Sequence, residues 1–283
     1  MSSHDPIAAP LFDRHAWRLH RGRAAGGADF LYREVAERLI DRLDLVNRDF
    51  AAILDLGARE GALARLLAGR KGPSLLVAAE PSASLLAAAP APRVCADPEL
   101  IPFADAGFDL VTSCLALHWC ADLPGALIQI RRALKPDGLL LAALFGGGTL
   151  VELRTALFEA ELAEEGGVSP RVSPTVDPAD APSLLQRAGF AMPVADSETI
   201  TVTYPDILAL MRDLRGMGET NALAARRRFL PRATLARAGA IYAERFGTSD
   251  ARITATFEVL FLAGWAPHPD HATPLPGPRR RIG

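Results

Sequence analysis

Short apolar runs alternate with amphipathic stretches in the first half of the chain. The runs predicted as strands are mainly aliphatic and cover residues 52–56, 74–80, 93–96, 108–114 and 139–145. The stretches between them predict helices at residues 61–68, 83–89 and 123–134. Continuous apolar strands separated by helices are typical of a parallel sheet covered on both faces. We therefore expect a doubly wound α/β domain whose ligand crevice lies at the carboxyl ends of the strands.

The flanking segments complete the predicted architecture. After an arm (residues 1–28), apolar residues at four-residue steps from Phe30 predict an amphipathic helix. Beyond residue 145 the pattern predicts a helix at 149–164, a short helix at 183–188, a strand at 194–204, a helical block at 206–246 and a last strand at 254–265. Because the helical block stands between two strands, we interpret about residues 205–247 as a lid over the crevice. Residues 29–265 then form one domain with a mostly parallel, seven-stranded sheet.

The two ends of the chain differ from this domain in composition. In the arm, Arg14, Arg18 and Arg21 interleave with Trp17 in an otherwise irregular sequence. Such a charge run is either a solvated arm or an arm that folds over a bound cofactor or docks a partner. Residues 266–283 are rich in proline and end in a run of arginines, which predicts a disordered tail.

Composition narrows the class of protein. The 283 residues are 49% hydrophobic and 23% charged with a net charge of −2, so no global charge favours nucleic acid or a membrane surface. Three cysteines without CxxC spacing argue against a disulfide framework or a zinc site. No apolar run approaches the roughly 20 residues that cross a bilayer, and the first residues lack a hydrophobic signal core. The expected location is the cytoplasm.

Acidic residues mark the carboxyl ends of the first three predicted strands. Asp55 is followed by a turn that contains Gly57 and Gly61, and a helix begins there, so that backbone N–H groups are free to hold polar ligand atoms. Glu80 closes the second strand about 20 residues after this turn, where a carboxylate grips ribose hydroxyls in dinucleotide-binding folds. Asp97 follows the third strand. Each alone is compatible with a turn or helix cap, but the three together predict a nucleotide-cofactor site.

The ordered motifs between about residues 50 and 145 resemble those of class I S-adenosylmethionine-dependent methyltransferases. They are Asp55-Leu56-Gly57-x-x-x-Gly61, Glu80, Ala96-Asp97, Phe108-Asp109-Leu110-Val111 and Leu134-Lys135-Pro136-Asp137-Gly138. The resemblance implies S-adenosylmethionine as the cofactor. Asp55, Gly57 and Gly61 would surround its methionine part, Glu80 would bind the ribose and Asp97 the adenine amino group. Leu115 is expected to belong to the same site.

Arg59 departs from the family's D-x-G-x-G-x-G pattern, because it replaces the glycine that lets the cofactor approach the backbone. Its side chain either blocks that approach or pairs with the carboxylate of the cofactor. The residues leave both possibilities open. Arg59 is therefore included among the expected cofactor-binding residues.

Motifs outside the cofactor half resemble one subfamily, the methyltransferase-fold assembly factors of respiratory complex I and their bacterial relatives. They include Phe12-Asp13-Arg14, Leu117-His118-Trp119, Phe145-Gly146-Gly147 and Gly216-Met217-Gly218-Glu219-x-Asn221. This resemblance implies a protein substrate linked to complex I assembly. Members are described as hydroxylating an arginine, so methylation and hydroxylation both stay open. Two further alternatives are a carboxyl methyltransferase acting on a carrier-bound acid, as in a more distant relative, and a non-catalytic assembly chaperone.

Few residues offer themselves for catalysis, because methyl transfer needs mainly an aligned nucleophile and a dry pocket. His118 follows the fourth strand and is a candidate base, although the sequence is equally compatible with a structural histidine that is buried against Trp119 and hydrogen-bonded. Tyr204, before the lid, is the second candidate, with simple packing as the alternative. Trp119, Glu152 and Glu219 are expected on the substrate side, the two carboxylates as partners for a guanidinium. No spacing of histidines and carboxylates predicts an iron site.

Overall fold

A computed structural model describes residues 10–24, 26–90, 92–225 and 229–268. Its helices are α1 (Arg14–Arg23), α2 (Phe30–Asp44), α3 (Ala62–Ala68), α4 (Ala83–Leu86), α5 (Leu123–Ala133), α6 (Val151–Glu165), α7 (Ala181–Arg187), α8 (Ile207–Met217) and α9 (Arg232–Phe246). Its strands are β1 (Ala52–Leu56), β2 (Leu75–Ala79), β3 (Arg93–Val94), β4 (Phe108–Cys114), β5 (Leu134–Phe145), β6 (Ala191–Tyr204) and β7 (Ile253–Trp265).

The described strands form one sheet in the order β3-β2-β1-β4-β5-β7-β6. The first five strands are parallel, whereas β7 runs antiparallel to both of its neighbours, β5 and β6. This arrangement confirms the predicted α/β fold with a mostly parallel seven-stranded sheet. The chain changes direction across the sheet between β1 and β4, and a ligand crevice is expected at the carboxyl ends of these two strands.

Side-chain alternation along the strands builds a core on each face of the sheet. In β1, Ile53 belongs to a buried cluster that includes apolar residues of α2, α6, α8 and α9, while Leu54 and Leu56 belong to a second cluster with residues of α5 and α7. Burial of each such side chain contributes roughly 1.5–3 kcal/mol to folding. All five residues of β1 are buried, as expected for a central strand covered on both sides.

Helices α8 and α9 stand between β6 and β7 in the chain, in the stretch predicted as a lid, and they are joined by a segment that begins at Gly218. Gly218 ends α8 in the left-handed region at φ 78°, a conformation that glycine adopts without strain. Residues 218–224, called the α8–α9 segment below, run back from the lid towards α1. Among the described helices, none is both long and apolar enough to cross a bilayer.

Three segments differ from their predicted structure. Part of the arm is a helix, α1, whose N-cap Asp13 accepts a hydrogen bond from the backbone of Ala16 at 2.9 Å. Residues 135–138, predicted as a turn, lie within β5, because pairing with β4 resumes after an irregularity at residues 108–110. Ala266, assigned to the tail, is buried and donates to the carbonyl of Gly138. Residues 1–9 and 269–283 lie outside the described residues.

Candidate active site

The three acidic residues predicted for the cofactor lie at the carboxyl ends of their strands. Asp55 is the fourth residue of β1, Glu80 follows β2 directly and Asp97 lies three residues beyond β3. Asp55 and Glu80 are both 0% exposed. A buried carboxylate requires hydrogen bonds or an opposite charge, so the partners of these side chains define what the site can bind.

Glu80 is held by donors from three parts of the chain. Its Oε1 accepts hydrogen bonds from Nε of Arg21 and from the backbone N of Ser82, both at 3.0 Å. Its Oε2 accepts from Nη2 of Arg21 at 2.6 Å and from the backbone N of Arg59 at 3.0 Å. A carboxylate has about four acceptor positions. Donors of the protein therefore occupy all of them.

Arg21 makes this contact from α1 and is itself 0% exposed. Burial alone would lower the pKa of its guanidinium, but the charge and the hydrogen bonds of Glu80 raise that pKa above its ordinary value. The bidentate pair is thus a salt bridge between two fully buried side chains. The sequence did not single out Arg21 as a site residue.

Asp97 is paired with the same helix. Its carboxylate accepts hydrogen bonds from Arg14, from Nη2 of Arg18 at 3.3 Å and from the backbone N of Glu99 at 3.1 Å. Burial raises the pKa of Asp97, but the hydrogen bonds from Arg14, the backbone of Glu99 and Arg18, together with the charge of Arg14, outweigh it and hold the pKa below its usual value. Both carboxylates expected to hold the nucleoside of the cofactor therefore contact arginines of α1.

The glycine-containing turn after β1 adopts the backbone expected of it. Gly57 and Gly61 have φ of 78° and 83°, and a Cβ on Gly57 would lie 2.2 Å from that of Ala116. Arg59 also has a positive φ, 52°, which is strained for a residue with a side chain. Leu115 is fully buried next to this turn.

The side chain of Arg59 contacts the end of α8 and the ring of Tyr32. Its Nη1 donates to the carbonyl of Met217 at 2.7 Å, and its guanidinium lies 3.8 Å from the ring centroid of Tyr32. The side chain therefore links the turn to the end of α8. Only its backbone N–H contacts an expected cofactor residue, Glu80.

The space left beside the turn is small. A cavity of about 30 Å³ is lined by Asp55, Gly57, Arg59 and Tyr32, among others. This volume holds about one water molecule. In this conformation the residues therefore do not fit S-adenosylmethionine, because its adenosine would need the acceptors and the space that α1 occupies. Among the described residues, no group of three or more His, Cys, Asp or Glu side chains is arranged to hold a metal ion.

Asp55 is only partly hydrogen-bonded. Its Oδ1 accepts from Oγ1 of Thr112 at 3.2 Å, whereas Oδ2 has no partner among the described residues. Burial, which is the main cause, and the charge of Glu80 raise the pKa of Asp55 to about 7. Below about pH 7 the folded protein thus favours the protonated form of Asp55, whereas the same side chain in the unfolded chain ionises near pH 4.

We expect Asp55→Asn to stabilise the fold at pH 8 by about 1–3 kcal/mol, because the amide removes a buried charge that is incompletely hydrogen-bonded. Because the pKa of Asp55 is higher in the folded protein than in the unfolded chain, the free energy of unfolding of the native protein falls as the pH rises from about 4 towards 7. The stabilisation by Asp55→Asn is therefore smaller at pH 5 than at pH 8. Urea unfolding of the native protein and of Asp55→Asn at pH 5 and pH 8 measures this difference in stability.

Asp109→Asn is the matched control. Asp109 pairs with Lys135 at 3.0 Å and its pKa is lowered, so its loss is expected to destabilise the fold equally at pH 5 and pH 8. An Asp55→Asn effect of the same size at both pH values would contradict the role of ionisation.

A second cavity of about 520 Å³ lies under the lid. Its apolar lining includes Phe145, Leu153, Leu157, Met211 and Phe257, and its polar lining includes His118, Trp119, Arg171, Arg215 and Glu219. This cavity is much larger than the space beside the turn after β1. Its mainly apolar walls and few polar groups are typical of a pocket for a small molecule or a single side chain.

Glu219 organises the polar part of this cavity. It accepts hydrogen bonds from the hydroxyl of Tyr32, from Nε2 of His118 at 3.1 Å and from Nε1 of Trp119 at 3.0 Å. Burial raises its pKa, but the charge and hydrogen bond of His118 and the hydroxyl of Tyr32 outweigh this, so the net pKa is lowered. Glu219 is therefore an ionised carboxylate, which can only accept hydrogen bonds.

The ionised Glu219 fixes the tautomer of His118. Because the carboxylate carries no proton, Nε2 of His118 must be the donor. In the neutral form of the ring the lone pair then lies on Nδ1, whereas the imidazolium carries a proton on both nitrogens. Nδ1 is buried without a hydrogen-bond partner among the described residues. His118 is thus arranged to accept a hydrogen bond or a proton. The chain provides a histidine–carboxylate pair on the wall of the cavity.

The structure brings together three of the predicted substrate-side and catalytic residues and separates two others. His118, Trp119 and Glu219 line the cavity under the lid. Glu152 does not line it, and its carboxylate accepts from the backbone and hydroxyl of Thr256. Tyr204 is buried at the end of β6, also outside the cavity lining, and burial raises its pKa. Sequence reasoning missed Tyr32, which lies on the inward face of α2.

Comparison with known proteins identifies relatives over nearly the whole chain. A model described as "Methyltransferase domain" matches residues 54–142. The chain is 43% identical over 250 residues to the mitochondrial arginine-hydroxylase NDUFAF5 of Danio rerio, covering 87% of this chain and 78% of that protein. It is 37% identical over 284 residues to malonyl-(acyl-carrier protein) O-methyltransferase of Methylovorus sp. (strain MP688), covering 94% and 93%. The crystal structure of the YcgJ protein from Bacillus subtilis shares the fold, with a TM-score of 0.56 at 14% identity over 82% of this chain and 99% of that one.

Proposed function

We infer the function from the premise that this chain belongs to the family of class I S-adenosylmethionine-dependent methyltransferases that includes NDUFAF5 and malonyl-(acyl-carrier protein) O-methyltransferase. We propose that it is an enzyme that binds S-adenosylmethionine and modifies a protein arginine linked to the assembly of respiratory complex I. The cofactor and the fold come with the family. The choice of an arginine rests on NDUFAF5, which is named an arginine-hydroxylase.

The observation that carries the proposal is the set of acceptors in the cavity under the lid. A guanidinium has five N–H donors and no acceptor. Glu219 uses three of its about four acceptor positions on Tyr32, His118 and Trp119, which leaves one on Oε1. In the neutral form of His118, Nδ1, which has no hydrogen-bond partner among the described residues, is a second acceptor. The charge of Arg171, another lining residue, is balanced by Glu161 at 2.6 Å, so it does not oppose a cationic side chain.

A carboxyl O-methyltransferase is the second candidate. Arg171 and Arg215 line the same cavity, and arginine is the residue that best recognises a carboxylate. A carrier-bound acid would use these guanidinium groups in place of Glu219. A non-catalytic assembly chaperone is the third candidate, and it predicts partner binding without turnover.

Intact-mass and peptide mass spectrometry distinguishes these functions. The purified protein is incubated with S-adenosylmethionine and either complex I subunits of the same organism or a malonyl carrier protein. We expect a modified arginine in a complex I subunit, with a gain of one methylene for methylation. A gain of one oxygen, in a parallel incubation supplied with dioxygen and a two-electron reductant, would identify hydroxylation, with the second oxygen atom leaving as water. Modification of the malonyl carrier protein alone would replace the arginine proposal with the second candidate. The predicted cytoplasmic location stays a prediction, since NDUFAF5 of Danio rerio is a mitochondrial protein.

A further inference from the structure

We propose that residues 10–24, called the strap below, are a displaceable internal occupant of the cofactor site. In this inference, which rests on the proposed function, Arg21 and the adenosine of S-adenosylmethionine are alternative partners of Glu80. The strap then closes the site when no cofactor is bound and must move for the cofactor to enter.

Three arginines of the strap contact the acidic residues of the site. Arg21 takes two acceptor positions of Glu80, and Arg14 and Arg18 both contact Asp97. These are the two carboxylates that the family resemblance assigns to the ribose and the adenine. One helix thus supplies donors to both at once, which is the pattern that a nucleoside with ribose hydroxyls and an exocyclic amine would also supply.

Apolar contacts hold the strap over this edge of the sheet. Trp17 is 0% exposed and its ring lies 6.2 Å from that of Trp119, while Phe12 packs edge-on against Trp119 at 5.2 Å. The guanidinium of Arg14 lies 4.1 Å from the ring centroid of Trp17. The strap is therefore an ordered, packed element in this conformation.

The strap has a place to bend. Gly26 and Gly27 connect it to α2, and Gly26 has φ of 70°. Glycine absorbs large backbone rotations without a Cβ penalty, as hinge residues do. Within the described ranges, two backbone hydrogen bonds join the strap to the α8–α9 segment, from the N of Asp13 to the carbonyl of Ala222 at 2.8 Å and from the N of Ala224 to the carbonyl of Leu11 at 2.9 Å. It can separate as a unit without breaking the central sheet.

A reversible disulfide tests whether the strap must move. A Cβ on Gly22 would lie 3.4 Å from Oγ of Ser84, so cysteines at these positions are within reach of a disulfide between the strap and α4. The variant Gly22→Cys/Ser84→Cys is made in a Cys95→Ser background, because Cys95 is exposed and its Sγ lies 3.6 Å from the carbonyl of Pro81. Calorimetric titration with S-adenosylhomocysteine measures binding without turnover.

The oxidised variant is expected to bind S-adenosylhomocysteine at least about 100-fold more weakly than the same protein after reduction. The reduced form and the Ser84→Cys single variant are the controls for the substitutions themselves. Equal affinity in the oxidised and reduced forms would overturn the proposal, since a tethered strap would then leave the cofactor site accessible.

Arg21→Met provides an independent measurement, because it removes the donor that competes for Glu80 and keeps a side chain of similar length. If the open strap is 0.1–10% populated in the native protein, the affinity for S-adenosylhomocysteine is expected to rise about 10- to 1000-fold. Weaker binding would overturn the proposal by making Arg21 a cofactor ligand. If the native protein, the reduced disulfide variant and Arg21→Met all fail to bind S-adenosylhomocysteine, the cofactor of the proposed function is rejected as well. If the native protein binds it and the oxidised variant binds it equally well, only the strap proposal is rejected.

Discussion

His118→Ala is expected to lower the turnover number for arginine modification by about 10²–10³-fold, the usual contribution of a positioned acid–base group. The ionised Glu219 accepts from Nε2 of His118, so in the neutral form of the ring Nδ1 is the atom that would accept a proton or a hydrogen bond from the proposed substrate. Loss of the ring removes that acceptor while Tyr32 and Trp119 continue to hold Glu219. Steady-state kinetics with the complex I subunit measures the effect, which should fall mainly on kcat.

Tyr204→Phe is the matched control for this prediction. Tyr204 is an aromatic residue predicted beside His118 as catalytic, but it is buried at the end of β6 outside the cavity lining. Its variant is expected to keep kcat within about twofold. Glu219→Gln should shift the pH profile, since an amide no longer fixes the tautomer of His118. A His118→Ala enzyme with native kcat would remove His118 from the mechanism.

Glu80→Ala is expected to destabilise the folded protein by about 3–5 kcal/mol, the cost of breaking a buried ion pair from one side. Arg21 and Glu80 are both 0% exposed, so the guanidinium left behind has neither its carboxylate nor water to compensate its charge. The backbone N–H groups of Arg59 and Ser82 lose their acceptor at the same time. Urea unfolding of the ligand-free proteins, followed by circular dichroism, measures the change.

The double variant Arg21→Met/Glu80→Leu separates the ion pair from the packing around it. Replacing a buried pair by apolar side chains of similar volume is often neutral or stabilising, so most of the lost stability should return. If the double variant is as unstable as Glu80→Ala, the cost arises from the unsatisfied N–H groups of the turn and not from the charge of Arg21. A loss below about 1 kcal/mol in Glu80→Ala would contradict the burial of the pair.

The central sheet and the position of its acidic residues are predictable from the sequence because local signals determine them. The run 52–56 reads as a buried strand, and Gly57 and Gly61 can only follow it as a turn with positive φ. Once parallel strands are inferred, Asp55, Glu80 and Asp97 must share the carboxyl edge of the sheet. The antiparallel β6–β7 pair extends this sheet and agrees with the predicted strands near the end of the chain.

The role of the arm is not predictable in this way. Arg14, Arg18 and Arg21 recur at helical spacing, which places them on one face of α1. Their partners are Asp97 and Glu80, which lie 59–83 residues further along the chain. No local pattern links the two segments, so the arginines are equally compatible with a solvated helix. Only the folded sheet brings the carboxylates within reach of α1.

Only part of the cluster around Glu219 is predictable from the sequence, because some of its residues carry no local signal. His118 and Trp119 attract notice because they follow β4 at the expected substrate side, and Glu219 stands out as a charge within an apolar lid. Tyr32 gives no such signal, because it is one aromatic residue on the buried face of α2. Glu152 also stands out as a charge in the sequence, but its carboxylate accepts hydrogen bonds from Thr256 of β7 and lies outside the cavity lining.

The α8–α9 segment lies between two ligand sites and belongs to both. One side of it is hydrogen-bonded to the strap through Ala222 and Ala224, and its first turn carries Glu219 on the wall of the cavity. Two ligands that act on one such segment influence each other's affinity by the same factor in both directions. If the proposed strap and the proposed substrate cavity are coupled in this way, a target protein that favours the open strap raises the affinity for the cofactor, and the cofactor raises the affinity for that target by the same factor.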